Sequence, residues 1–314
     1  HVGSHPQITE YDVNGQFFGW GVQPSAMLSD IKRRLRYGKE HQVTGFLART
    51  DWEGVQDWTC FDNLNMVNLY AIAAYAENEN TSEEEIYLRW LQGEHMLDER
   101  LSPGQLKTCV QTVKEIMDET WPIVEKTNFV NGCLFSNDSC MHLTPEQFTF
   151  IGGTHHSLSE WDPEKKDALE MSVENIARII EDKEEAHVKC EKLVDRVVAG
   201  NMGLTEDAYE KMKEHFEFMR WYVRGFRLTA RGYCFGRYVT EKNAADMLVE
   251  GKTANVLLEE TIHEMEKYRE GLLQTTFIKK YPFDAQLNPE RVAFYTNSLK
   301  RMLAQGKKVE IVED

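Results

Sequence analysis

Glu10 and Asp12 stand two residues apart in Gln7-Ile8-Thr9-Glu10-Tyr11-Asp12-Val13, a run in which apolar and polar residues alternate. Two is the side-chain period of a β-strand, so both carboxylates belong to one face of it. Gln16 follows in a Gly-rich aromatic loop, Asn14 to Gly21. A second constellation comes after the next strand-like run: Arg49, Asp51, Trp52, Glu53, Asp57 and Trp58. Carboxylates move protons, and indole faces beside them stack on pyranose rings, so these residue types suit chemistry on sugars. A single Asp or Glu in such a loop is more often a cap, a turn or an ion-pair partner. Glu10 is the residue read as catalytic. Asp12, Gln16, Arg49, Asp51, Trp52, Glu53, Asp57 and Trp58 are read as substrate contacts.

The elements that would position them follow a strand, loop, helix rhythm. Ser25 to Tyr37 reads as a helix closed by Gly38, Val43 to Arg49 as a second strand, and Leu64 to Ala76 as another helix. That order is the signature of parallel β/α units. In a β/α barrel the loops at the C-terminal strand ends build the active face, which is where both constellations fall. The fold expected is therefore mixed. Residues 1–78 would be the C-terminal strands of a (β/α)8 barrel, and residues 79–314 a long α-helical bundle domain.

Within that second region Thr81-Ser82-Glu83-Glu84 reads as a capping box, Ser102-Pro103 opens a helix and Trp121-Pro122 stops it. A looser segment runs from Asn128 to Glu160. Asp162-Pro163 then begins what reads as the longest helix. Leu169, Val173, Ile176, Ile180, Lys183, His187, Cys190, Val194 and Val197 recur along it at spacings of four and three, a coiled-coil-like seam that ends at Gly200. The seam suggests a homodimer, although partners within the chain could also satisfy it. Further helices are expected near 205–230, 253–270 and 289–304, with almost no sheet.

The chain has 314 residues and a net charge of −16, from 52 acidic and 36 basic residues. Nucleic-acid binding needs clustered Lys and Arg, and the one dense basic run, Lys32-Arg33-Arg34-Leu35-Arg36, reads as a solvated helix face. No apolar run approaches the roughly 20 residues that cross a bilayer. Neither nucleic acid nor membrane is expected as a partner, and the reading is of a soluble protein, cytoplasmic or periplasmic. The six cysteines form no CxxC pair and read as mostly free, packed thiols, with Cys133 and Cys140 close enough in sequence to bridge. Cys133, Cys140, His142, His155 and His156 match no zinc-finger spacing, and Gly19-x-Gly21 lacks the rest of a phosphate loop. No metal and no cofactor is expected. Gly225, Gly232 and Gly236 among Arg224, Arg227, Arg231 and Arg237 read as close helix packing with solvated arginines rather than an anion pocket.

Ile8 to Gly19 resembles a late-barrel strand of the α-glucuronidases of glycoside hydrolase family 67, and the resemblance resumes at Thr44-Gly45, Asp57-Trp58-Thr59, Asn68-Leu69-Tyr70-Ala71 and Thr81 to Ile86. It covers about residues 7–91. It implies an inverting glycosidase, in which one acid protonates the leaving oxygen and a carboxylate across the site activates water. Glu10 matches an acidic position of that strand. The family's second acid falls on Gln16, which cannot accept a proton, so either a small gap brings Glu10 there or the base differs. The general acid is implied to lie on another barrel strand, outside this sequence, which makes the chain inactive alone. The competing expectation is a non-catalytic helical module for dimerisation or partner binding that carries a barrel remnant.

Overall fold

The computed structural model describes residues 7–12, 23–50, 60–130, 133–134, 171–275 and 287–310. Strand β1 (Gln7–Asp12) and strand β2 (Val43–Arg49) pair in parallel, with a register shift between Gln7 and Ile8. Parallel neighbours require a crossover, and helix α1 (Leu28–Glu40) lies between them in sequence. A short 3-10 turn (Cys60–Asp62) and helix α2 (Met66–Glu77) follow β2. The β-α-β-α order is the one the sequence suggests. Among the described residues, however, this sheet has two strands, and a barrel is not shown.

Helix α1 begins at Leu28 rather than Ser25, because side chains capture the backbone before it. Ser25 N donates to Asn65 Oδ1 (2.8 Å), Ala26 N to Thr120 Oγ1 (2.9 Å) and Met27 N to Asn68 Oδ1 (2.9 Å). The same helix runs through Gly38 to Glu40, so Gly38 is not its cap; the left-handed residue is Gln42, at φ 60°. Leu28 and Ile31 are its buried stripe.

Helix α3 (Glu83–Gly93) starts one residue later than the expected box. Ser82, not Thr81, is its cap and accepts from Glu85 N at 3.2 Å, while Thr81 Oγ1 donates to Asn78 O. The reciprocal capping box belongs to helix α4 (Pro103–Asp118), between Ser102 and Gln105. Pro122 does not end α4. It sits in the first turn of helix α5 (Thr120–Asn128), where a missing N–H costs nothing because that donor has no intrahelical acceptor.

Beyond α5 come strands β3 (Phe129–Val130) and β4 (Cys133–Leu134), then helix α6 (Val173–Val198), helix α7 (Glu206–Glu241), the short antiparallel pair β5 (Met247–Val249) and β6 (Lys252–Thr253), helix α8 (Ala254–Leu273) and helix α9 (Pro289–Glu310). The mainly helical character expected after residue 80 is what the chain has. Compactness divides it into two units: His1–Val124 with Cys190–Met219, and Glu125–Lys189 with Arg220–Asp314.

The seam on α6 is buried within the chain: Ile176, Lys183, Cys190, Val194 and Val197 are at most 1% exposed, and Ile180 8%. Leu169 lies outside the described residues. Val173 and His187 are partly exposed. Among the described residues the longest helix is α7, with 36 residues, not α6. Its glycines do not break it, because they are contact points. A Cβ on Gly232 would meet Leu299 Cδ1 at 2.6 Å, and one on Gly236 would meet Met302 Sδ at 3.0 Å, so α9 lies directly against α7. Tyr295 OH donates across this contact to Thr229 O at 2.9 Å. Close packing is thus what these glycines serve, but the neighbouring arginines are paired rather than solvated. Arg227 binds Glu184 (2.7 Å) and Glu264 (2.7 Å), and Arg231 binds Glu184 at 2.9 Å. Cys60, Cys109, Cys190 and Cys234 are buried and in no disulfide.

Gly232→Ala should destabilise the protein by about 2 kcal/mol, in the range of core overpacking. Gly104→Ala should instead stabilise it by about 0.5 kcal/mol, since nothing lies within 4 Å of the added carbon. Urea denaturation of the two variants checks the pair, and equal effects would show that α9 does not press on Gly232.

Candidate functional site

The C-terminal edge of the two parallel strands is the place the sequence assigns to chemistry. There Asp12 stands opposite Arg49 in the register, and Glu10 opposite Leu47. The backbone therefore brings the Glu10–Asp12 stretch and Arg49 to one edge. Residues 13–22 and 51–59, which follow the two strands in sequence, lie outside the described residues. Of the expected site residues, Gln16, Asp51, Trp52, Glu53, Asp57 and Trp58 lie outside the described residues, as do the side chains of Glu10 and Asp12. The Cys133, Cys140, His142, His155, His156 group also lies outside them, apart from the backbone of Cys133. Arg49 is partly exposed at the end of β2.

Both chain segments return to fixed points. Cys60 N donates to Thr50 O at 2.9 Å, so the segment carrying Trp52 and Trp58 begins and ends at a single hydrogen bond. The other segment returns into a buried amide cluster. Asn65 Nδ2 donates to Gln23 O (3.1 Å), Asn65 N to Asn63 Oδ1 (2.8 Å), and Asn68 Nδ2 to Ser25 O (2.9 Å). Gln23, Ser25, Asn65 and Asn68 are 0% exposed. Such a density of buried amides is costly unless each is bonded. Gln23 is the exception: neither atom of its side-chain amide has a hydrogen-bond partner among the described residues. The sequence reading missed Gln23, Asn63 and Asn65, and used Asn68 only as part of a resemblance. Three asparagines entering an otherwise apolar helix were the available signal.

A second concentration of buried polarity lies in the other unit. Lys183, 1% exposed, donates from Nζ to Lys126 O (2.6 Å) and Phe129 O (2.7 Å), the last carbonyls of α5 and the residue after it. Burial pushes its ammonium down to about 7, with Asp182 opposing and Lys126 adding to the shift. The negative end of the α5 dipole also favours the cation. His187, one turn on, is held low, at about 4, by burial and then by the Arg227 charge. Lys183 thus caps a helix end, and at 1% exposure its Nζ is closed off from any substrate in solution.

No protein-family model matches the chain, and no curated protein is significantly similar to it. Among the described residues no helix is long and apolar enough to cross a membrane.

Gln23→Met, close in volume but without a polar group, should raise stability by about 1 kcal/mol by removing an unsatisfied buried amide. A loss of stability on urea denaturation would mean that the amide is engaged. For Lys183 the sign follows from its lowered pKa. Between about pH 7 and 10.5 the unfolded chain holds a proton that the folded one has released, so stability rises with pH across that window. Relative to Lys183→Met, the wild type should gain stability from pH 6.5 to 9; parallel curves for the two proteins would remove Lys183 as the source.

Proposed function

We propose that the chain supplies β/α units of an inverting glycoside hydrolase of the α-glucuronidase type, acting on a plant-type acidic polysaccharide. One observation carries this reading. The parallel register of β1 and β2 sets Asp12 opposite Arg49 and Glu10 opposite Leu47, at the C-terminal edge of the two strands. In parallel β/α architectures that edge is where reacting groups gather.

In this reading Glu10 acts as the general base, or as the electrostatic partner of the base, and Asp12 and Arg49 hold substrate hydroxyls and the uronic carboxylate. Trp52 and Trp58 stack on sugar rings, with Gln16, Asp51, Glu53 and Asp57 completing the contacts. The general acid comes from another strand of the barrel. The reading needs no metal or cofactor, because protonation of the leaving oxygen and activation of water are carboxylate chemistry. The alternative, a helical module for dimerisation or partner binding, drew on the α6 seam, most of which is buried.

The test is uronic acid release from glucuronoxylo-oligosaccharides by the full-length protein. Glu10→Gln should lower turnover at least about 100-fold, the lower end of what a positioned acid–base group supplies, with KM little changed. Trp52→Ala and Trp58→Ala should raise KM instead. Turnover by Glu10→Gln at the wild-type rate would take Glu10 out of the mechanism, and no release by the wild type would dispose of the substrate.

A further inference from the structure

A cleft of about 380 Å³ opens in the first unit, between the turn before α2, the C-terminal end of α3 and the first turns of α7. Its size suits one small ligand. Leu64, Trp90 and Met96 form an apolar floor, each no more than 6% exposed, and Glu94, His95, Asp207 and Lys211 stand around it. It begins at Asn63, just past Cys60, where the segment from the strand edge returns.

Three features separate this cleft from ordinary surface relief. Glu94 is oriented: Tyr70 OH donates to its Oε1 at 3.0 Å, and Gly93 leaves the space that the Tyr70 phenol fills. His95 is held at φ 53°, in the left-handed turn that ends α3 with Met96 N bonded to Leu91 O at 2.9 Å. Glycine is the residue favoured at that position. A histidine there gives up conformational ease and gains an imidazole at the cleft. Finally, Asp207 and Lys211 lie four apart on α7, a spacing at which opposite charges meet. Glu85–Arg89, Lys114–Asp118 and Glu185–Lys189 close into ion pairs at that spacing. Asp207 and Lys211 do not, and neither their side chains nor that of His95 has a partner among the described residues.

We propose that this cleft is a subsite for a neutral pyranose unit of the substrate chain, an inference that rests on the carbohydrate reading above. Carboxylates accept from vicinal hydroxyls, an ammonium and an imidazole donate to hydroxyl or ring oxygens, and the C–H face of a pyranose covers an apolar floor. Two carboxylates against one ammonium disfavour an anionic sugar. The uronic acid would thus occupy the strand edge, and an uncharged backbone unit the cleft.

Isothermal titration of the full chain with xylotetraose, cellotetraose and glucuronate tests this. At least one neutral tetraose should bind saturably. Asp207→Ala, Lys211→Ala and His95→Gly should each weaken binding about tenfold, as for loss of one charge-assisted hydrogen bond. His95→Gly relaxes the backbone, so its loss of affinity would not be loss of fold. Absence of saturation by both tetraoses, unchanged affinity in all three variants, or glucuronate binding that these three substitutions weaken would each overturn the proposal. The two readings fail separately. Tetraose binding without uronic acid release refutes the hydrolase and supports the subsite, whereas release with three unaltered affinities refutes the subsite alone.

Discussion

The backbone N–H groups of residues 25–27 are held by side chains rather than by a strand among the described residues, and elements of the first unit meet there. Buried N–H groups must find acceptors, and here three consecutive ones find side chains: Asn65, Thr120 and Asn68. Those side chains come from the turn before α2, from α2 itself and from the start of α5. One short stretch of extended chain therefore ties together elements that are distant in sequence. It also sets where α1 can begin, because a residue whose N–H is bound by Asn68 is already positioned to enter the helix. Remove an asparagine and a buried N–H loses its only amide, at a cost of about 1–3 kcal/mol.

The elements with a strong local signal were legible. Alternation in Gln7 to Asp12 and Val43 to Arg49 identified both strands, and their parallel pairing followed from the helix between them. What failed was punctuation. Gly38 looked like a helix stop and lies inside a helix; Pro122 looked like another and starts one. Each has local chemistry that permits termination without requiring it, and tertiary contacts made the choice. The same holds for α7, where Gly232 and Gly236 weaken the helix locally but admit Leu299 and Met302. A periodic seam carried the opposite risk. Heptad spacing on α6 states that a face is apolar, not who covers it, and the chain covers its own.

Of the site, strand periodicity made the edge legible and little more. Sequence spacing puts Glu10 and Asp12 on one face, and the register adds Arg49. The asparagine cluster stayed hidden because a buried amide has no period; only its hydrogen-bond partners, some forty residues away along the chain, explain it. The cleft at Glu94 and His95 was hidden for a similar reason. It is assembled from three separated stretches, and its plainest mark, a left-handed histidine, is a backbone angle rather than a residue type.

The free thiols have a use in following the protein's motions. Burial alone raises the Cys109 thiol to about 11, and burial raises Cys234 to about 12 against the opposing pull of Lys183. The thiolate is the reactive form, so neither reacts appreciably at neutral pH while the fold is closed. Cys109 belongs to the first unit and Cys234 to the second. Each unit therefore carries its own silent reporter, and the rate at which an alkylating reagent reaches each sulfur times the opening of that unit separately, without any added label.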